Sequence, residues 1–219
     1  MAVRKYPLLD GKIYHTFTRS IAGFEIFRNK SDYERIRNLL KYYIIENPPF
    51  RFSLFMELKD REDIYKKQLS EKEKLVEIIA YCIMPTHIHL ILRQLKEKGI
   101  SVFMGNVLNS YTRYFNIKTE RRGPLWESRF RNIEVSSEEQ LLHLTRYIHL
   151  NPVTAYLLDE PHEWRFSSYK EFLEESEDEE KICTYSEFLN IVPSEYREFV
   201  SSRKDYQKEL ARIKDLCLE

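Results

Sequence analysis

The chain has 219 residues and equal numbers of basic and acidic side chains, 35 of each. Hydrophobic residues make up 42% and charged residues 32%, which is typical of a soluble globular protein. The length is enough for one sizeable domain and a smaller appended segment. No apolar run approaches the roughly 20 residues of a membrane-spanning helix, and the first residues show no secretory signal. The sequence therefore predicts a cytoplasmic protein without a membrane partner. Its three scattered cysteines, which are Cys82, Cys183 and Cys217, are expected to stay reduced.

Charge is divided unevenly along the chain. Residues 171–219 hold 14 acidic and 7 basic residues, which leaves 21 acidic and 28 basic residues in 1–170 and a net charge of +7 there. A basic body suits a polyanionic partner such as nucleic acid. The acidic part is open to three interpretations: a solvated surface, a partner site, or a screen against unspecific contact with DNA.

Strand, helix and turn signals divide the first part of the chain into the order β-α-β-β-α-β, followed by one more helix. Ser31 and Glu34 form an apparent capping box that is expected to open the first helix, and Ser137 with Gln140 is expected to open the last. The segment 50–74 is expected to hold an extended start and a short helix. The predicted strands are 12–18, 76–84, 87–93 and 132–136, and the predicted helices are 31–46, 101–117 and 137–151.

This order of elements predicts an α+β fold, a ferredoxin-like sandwich in which helices lie on one face of an antiparallel sheet. Residues 1–173 are expected to form this domain. Residues 174–219 are expected to add an acidic linker and a helical C-terminal extension.

Two histidines, His87 and His89, alternate with apolar residues along the third predicted strand. Because side chains alternate across a sheet, Ile88, Leu90 and Leu92 face one way and both histidines face the other, roughly 7 Å apart along the strand. Two imidazoles on one rigid strand can share a divalent metal ion and leave coordination positions open. Taken alone, the pair is better explained as two histidines beside a turn, without a ligand.

The surroundings of the pair match a known family in several places. The segment Met84-Pro85-Thr86-His87-Ile88-His89-Leu90 resembles the HUH signature (histidine, bulky hydrophobic residue, histidine) of single-tyrosine transposases, and most of all the REP-associated tyrosine transposases. Thr86 stands where members usually have asparagine. Further matches follow in the order of the family, and they are Gly123-Pro124-Leu125-Trp126 with Arg129-Phe130, then Tyr147-Ile148-His149-Leu150-Asn151-Pro152-Val153, then Trp164-Arg165-Phe166-Ser167-Ser168-Tyr169.

The resemblance implies a site and a reaction. Enzymes of this kind bind Mg²⁺ or Mn²⁺ through the two histidines and a third polar ligand, and a tyrosine attacks a phosphodiester of single-stranded DNA. The resemblance assigns the tyrosine to Tyr147, the histidines to His87 and His89, and the third ligand to Asn151. It also implies single-stranded or hairpin DNA as the partner and a monomer or a homodimer, of which the monomer is favoured.

The residues themselves leave alternatives open at this site. His143, Tyr147 and Asn151 are spaced so that they share one helix face. Asn151 followed by Pro152 is also a good start of a new helix, and if Asn151 is such an N-cap, His143 or water would complete the metal shell. Tyr147 also fits a core aromatic residue, and Tyr111 is the reserve nucleophile. His15 could neighbour the histidine strand, although a structural role is the better explanation for it.

Arginines alternate with aromatic residues in the segment 121–131. Arginine pairs with phosphate and aromatic rings stack on unpaired bases, a combination typical of single-strand binding. We therefore predict DNA contacts for this segment, although Trp126 fits a core position equally well. The residues concerned are Arg121, Arg122, Trp126, Arg129 and Arg131.

Three functions remain as hypotheses. The first is a metal-dependent DNA nuclease and strand transferase with a tyrosine nucleophile. The second is a non-catalytic, domesticated nucleic-acid-binding protein that recognises folded DNA. The third is a phosphodiesterase that uses water as its nucleophile and leaves no protein–DNA adduct.

Overall fold

The computed structural model of the chain describes residues 7–65, 72–177 and 181–209. Its centre is a four-stranded antiparallel sheet with the strand order β2-β3-β1-β4. The strands are β1 (Ile13–Arg19), β2 (Val76–Met84), β3 (His87–Gln94) and β4 (Arg131–Val135). The helices are α1 (Lys30–Tyr43), α2 (Phe52–Glu57), α3 (Arg61–Ile64), α4 (Gly99–Lys118), α5 (Glu138–Thr154), α6 (Tyr169–Phe172) and α7 (Pro193–Ser201).

The two faces of the sheet carry different helices. One face contributes Ile88, Leu90 and Leu92 to a core that is shared with α1 and α4. The opposite face contributes Cys82 and Ile91 to a second core that is shared with α5 and α7. The predicted α+β class and antiparallel sheet are confirmed, and α1 and α4 lie on one face as expected, while α5 lies over part of the other face.

Two helix starts test the capping signals in the sequence. The expectation that Ser31 opens the first helix is wrong, since α1 begins at Lys30 and the side chain of Asn29 accepts a hydrogen bond from the Asp32 N–H. The expectation for the last helix is confirmed, because the Ser137 hydroxyl accepts a bond from the Gln140 N–H. Both caps satisfy a donor that the first helical turn leaves unpaired.

The segment 50–74 differs from the expected extended start with one short helix. It contains two short helices, α2 and α3, because Phe52 and Phe55 turn into the core beside α1. Residues 66–71 of this segment lie outside the described residues.

The described part of the predicted C-terminal extension packs into the domain. Leu189, Tyr196 and Val200 are buried in the same core as Ile79 of β2 and Ile148 of α5. Residues 204–209 are helical up to the end of the described range. Residues 178–180 of the predicted acidic linker and residues 210–219, with Cys217, lie outside it. Within the described ranges, no helix is both long and apolar enough to cross a bilayer.

Candidate active site

The pairing of β3 with β1 brings both histidines onto the face opposite α1 and α4. His89 pairs with Phe17, and His87 pairs with Arg19. Directly opposed residues of an antiparallel pair share one face of the sheet. His15 lies on the same face because it is two residues before Phe17. This face of the sheet therefore combines imidazole, aromatic and guanidinium groups.

The Nδ1 atoms of the two predicted metal-binding histidines are both engaged by protein atoms. The Thr86 hydroxyl lies 2.9 Å from His87 Nδ1, and His15 Nε2 lies 2.9 Å from His89 Nδ1. The two rings are perpendicular, with their centroids 5.1 Å apart. Thr86, which replaces the usual asparagine of the resemblance, thus contacts one of the predicted ligands. The Nε2 atoms of both histidines have no partner among the described residues, so they are available to an ion.

Burial keeps these imidazoles uncharged. It lowers the pKa of His87 to about 4, helped by the nearby charge of Arg19, and it lowers the pKa of His15 to about 4. The pKa of His89 is also lowered, first by burial and then by the charges of the neighbouring histidines and Arg19. Neutral imidazole is the form that binds a metal ion, so the pair is in its ligand form at neutral pH.

Tyr147 lies on α5 with its ring edge-on to the histidines of the sheet. Its ring centroid is 5.9 Å from that of His89 and 6.4 Å from that of His15. The side chain is 44% exposed, and its hydroxyl has no hydrogen-bond partner among the described residues. Burial of the ring raises the pKa of Tyr147, and the charge of Arg19 opposes this effect. One chain therefore brings the tyrosine and the histidine pair together.

Asn151 lies inside α5 because the helix continues through Pro152 to Thr154. The alternative that Asn151 caps a new helix over residues 152–158 is therefore wrong. One turn separates Asn151 from Tyr147, which places both residues on the same side of α5. Asn151 is buried, and its amide nitrogen has no hydrogen-bond partner among the described residues. An unpaired buried amide is costly, so helix stability does not account for this asparagine.

Two reserve candidates lie away from this surface. His143 hydrogen-bonds to Arg146, with 2.8 Å between Nδ1 and the guanidinium, and its ring packs against Phe199 near the end of α7. Tyr111 is fully buried on α4 in the opposite core, and its hydroxyl donates to the Ile26 carbonyl oxygen at 2.7 Å. Burial raises the pKa of Tyr111 strongly. The structure therefore does not support His143 as a metal ligand or Tyr111 as a nucleophile.

His, Cys, Asp and Glu side chains alone do not complete a metal site around His87 and His89. Across the described ranges, no three His, Cys, Asp or Glu side chains are grouped so that they could hold a metal ion. A metal at His87 and His89 would need other ligands, such as the Asn151 amide oxygen, water or substrate oxygens. Two neutral imidazoles with open Nε2 atoms, and a buried amide on the same side of α5 as Tyr147, are groups that suit a divalent ion of this kind.

A comparison of the sequence with models of known protein families finds a match over the part of the chain that contains this site. The model described as Transposase IS200 like matches residues 36–151, more than half of the chain. This chain belongs to the IS200-like transposase family. The matched residues include both predicted metal-binding histidines, Tyr147 and Asn151.

Two relatives of this IS200-like family member agree with the resemblance seen in its sequence. A REP-associated tyrosine transposase of Haemophilus influenzae is 27% identical over 104 residues, which cover 42% of this chain and 58% of that protein. The match thus spans less than two thirds of that relative. The solved structure of a REP-associated tyrosine transposase bound to a REP hairpin has a TM-score of 0.52 and 14% identity, and it covers 88% of this chain and 99% of that one. At this identity the likeness shows the fold alone.

The basic segment 121–131 of this family member follows α4, contacts the end of β1 and leads into the edge strand β4. The Glu127 N–H donates to the Arg19 carbonyl oxygen at 3.0 Å, and Arg131 pairs with Phe17 in the sheet. Arg131 therefore lies on the face that carries the histidines, and its side chain is exposed. Arg122 and Arg129 are also exposed. Three of the predicted DNA-contacting arginines are thus exposed, and one of them, Arg131, lies on the face that carries the histidines.

Two residues of the same segment are placed differently. The Trp126 indole nitrogen lies 3.2 Å from the Leu108 carbonyl oxygen and 3.1 Å from the Thr112 hydroxyl, and its ring packs against the buried core. Arg121 donates to the Pro124 carbonyl oxygen at 2.7 Å and to the Asn116 side chain at 3.2 Å. Trp126 fastens the segment to α4, and Arg121 holds its turn together. Both side chains therefore have structural contacts, and the DNA contacts expected of them stay predictions.

Sequence reasoning missed Arg19 and Phe17 and did not favour His15. Part of the signal was present, since His15 and Phe17 alternate on one side of the first predicted strand, while Arg19 lies one residue beyond its predicted end. Only the pairing of β1 with β3, however, places that side beside the histidines. Residues 74 positions apart in the chain make the contact between His15 and His89.

Proposed function

We propose that this chain cleaves and rejoins single-stranded DNA through a covalent link to Tyr147. The observation that carries the proposal is the edge-on approach of Tyr147 to His89, at 5.9 Å between ring centroids on the open face of the sheet. A nucleophile and two neutral metal ligands beside each other can act on one phosphate group.

The reaction is a transesterification. The phenol of Tyr147 loses its proton, and its oxygen forms a bond to the phosphorus of a phosphodiester. The bond from phosphorus to the 3′-oxygen breaks, and this oxygen leaves and takes up a proton from solvent. The product is a 5′-phosphotyrosine link and a free 3′-hydroxyl. Attack by a 3′-hydroxyl on that link reverses the step and joins the strands.

His87, His89 and Asn151 are the residues that would hold Mg²⁺ or Mn²⁺ in this proposal. A bound ion supplies Lewis-acid chemistry at the phosphate oxygens. The protein's own contribution is to fix the imidazole rings through Thr86 and His15, and to present the Tyr147 hydroxyl from α5. The exposed Arg122, Arg129 and Arg131 would bind the neighbouring backbone of the strand.

The proposed substrate is single-stranded DNA next to a hairpin. The REP-associated transposase with the same fold was solved with a REP hairpin. The exposed arginines of the segment 121–131 suit such a polyanion, and their contribution predicts binding that weakens as salt increases.

The test compares the wild-type chain with Tyr147→Phe on end-labelled oligonucleotides that contain a hairpin and a single-stranded flank. With Mg²⁺ or Mn²⁺, a denaturing gel should show a covalent protein–DNA adduct for the wild type and none for Tyr147→Phe. Tyr156→Phe is the matched control, because Tyr156 is an exposed tyrosine just beyond the same helix, and it should keep the adduct.

Other outcomes identify the competing functions. An adduct that persists in Tyr147→Phe contradicts the assignment of the nucleophile. Tight binding without cleavage under any divalent ion would favour the non-catalytic DNA-binding protein. Cleavage that never leaves an adduct would favour a phosphodiesterase that uses water.

A further inference from the structure

Arg19 is the last residue of β1 and lies next to the histidine pair. It pairs with His87 across β1 and β3. Its carbonyl oxygen accepts the Glu127 N–H at 3.0 Å, and the following Ser20 N–H donates to the Thr86 carbonyl oxygen at 2.8 Å. The backbone of Arg19 is therefore fixed between the basic segment and the turn that precedes His87.

The charge of Arg19 acts on the main groups of the site. It helps to lower the pKa of His87 and of His89, and it opposes the rise that burial causes in the pKa of Tyr147. Its guanidinium group is therefore within electrostatic range of both the proposed metal ligands and the proposed nucleophile.

The Arg19 side chain has no internal partner. It is exposed, and no hydrogen bond or ion pair joins it to another described residue. Most such arginines are solvated surface charges. Arg19 differs because it stands beside two histidines suited to a divalent cation, where a second positive charge is unfavourable by itself. A phosphate bound there would be attracted both to Arg19 and to an ion held by the histidines.

We propose, on the basis of the proposed function, that Arg19 is a catalytic residue that binds the scissile phosphate. Its planar guanidinium donates to the non-bridging oxygens from the side of β1, while the histidine pair lies on the side of β3. Negative charge on these oxygens grows as the Tyr147 oxygen bonds to phosphorus and the bond to the 3′-oxygen breaks. Arg19 stabilises this charge from a strand end whose backbone is fixed.

The first test measures adduct formation at saturating DNA and metal for the wild type, Arg19→Ala and Arg19→Lys. We expect Arg19→Ala to slow the step by about 100-fold, the size typical of losing one preorganised donor. Arg19→Lys should recover part of the rate, because it restores the charge without the paired donors. Arg51→Ala is the control, since Arg51 is an exposed arginine at the start of α2, on the other side of the sheet, and it should react at the wild-type rate.

A second test asks whether Arg19 acts on the scissile phosphate itself. In a Tyr147→Phe background, a methylphosphonate at the mapped cleavage position removes the charge of that one phosphate. This change should weaken DNA binding more when Arg19 is present than in Arg19→Ala. Unchanged thermal unfolding midpoints would show that the variants are folded.

The outcomes separate the two proposals. A wild-type adduct with an equal rate in Arg19→Ala overturns the role of Arg19 and leaves the Tyr147 mechanism standing. An equal methylphosphonate effect with and without Arg19 also overturns it. No adduct from the wild type overturns the proposed function, and the assignment of Arg19 with it.

Discussion

At the scale of single residues, the site depends on groups that hold the two predicted metal ligands. Thr86 and His15 each engage the Nδ1 atom of one histidine. Such contacts fix ring orientation and decide which nitrogen is available to an ion. His15, which looked like a structural histidine in the sequence, therefore has a positioning role in the proposed metal site.

Replacing His15 should weaken metal binding without removing a ligand. We expect His15→Ala to lower the affinity for Mn²⁺ by about 10- to 100-fold, the usual cost of losing an outer-shell partner of a metal-binding histidine. Titration calorimetry in the absence of DNA measures the affinity. His162→Ala is a matched control because His162 is exposed in a turn, and it should bind Mn²⁺ like the wild type. Equal affinities for all three proteins would remove His15 from the site.

At the scale of elements, α5 brings the chemistry together because it carries Tyr147 and Asn151 over the sheet. Contacts on another side of α5 hold it in this position. Its fully buried His149 makes a 2.7 Å contact with the Tyr196 hydroxyl of α7 and a 2.8 Å contact with the Ser168 hydroxyl. Helix α7 thus supports the helix that carries the proposed nucleophile, a role that its acidic surroundings in the sequence did not indicate.

The start of α1 offers a direct comparison of two capping assignments. Asn29→Ala should lower the free energy of unfolding by about 1 kcal/mol, because the Asp32 N–H loses its acceptor in the first turn. Ser31→Ala should cost only a few tenths of that, since its hydroxyl contacts the Asn29 side chain and caps no N–H. Urea denaturation of both variants measures the difference. A larger loss for Ser31→Ala would restore the capping box that the sequence suggested.

At the scale of the whole molecule, buried neutral histidines make stability depend on pH. Burial lowers the pKa of His149 to about 3 from an ordinary value near 6.5. Between these values the unfolded chain binds a proton that the folded chain does not, so folding is destabilised as the pH falls below about 6.5. Each such histidine contributes roughly 1.4 kcal/mol per pH unit in that window.

The variant His149→Gln should isolate this contribution, because an amide can still bond to Tyr196 and Ser168 but does not titrate. Between pH 6 and pH 4, its free energy of unfolding should fall less steeply than that of the wild type. The difference in slope should be about 1.4 kcal/mol per pH unit, which corresponds to one proton taken up on unfolding. Urea unfolding in a chelating buffer removes the influence of metal on the other histidines. Parallel pH profiles for the two proteins would contradict the assignment.

The sequence by itself determined the local features of this protein. Strict alternation in residues 87–92 put two histidines on one face and apolar residues on the other, and both strands of the hairpin and the cap at Ser137 followed from short-range signals. The choice of Tyr147 among 15 tyrosines came from the family resemblance, since helical spacing alone suits a core aromatic residue equally well.

Only the tertiary structure decided which groups meet at the site. The register of β1 against β3 brings His15 and Arg19 to the histidine pair, and the docking of α5 on the second face brings Tyr147 there. The packing also places Trp126 against the core and keeps Asn151 within a helix that continues past proline. These contacts join residues far apart in the chain, so their free energy depends on packing that no short window of sequence contains.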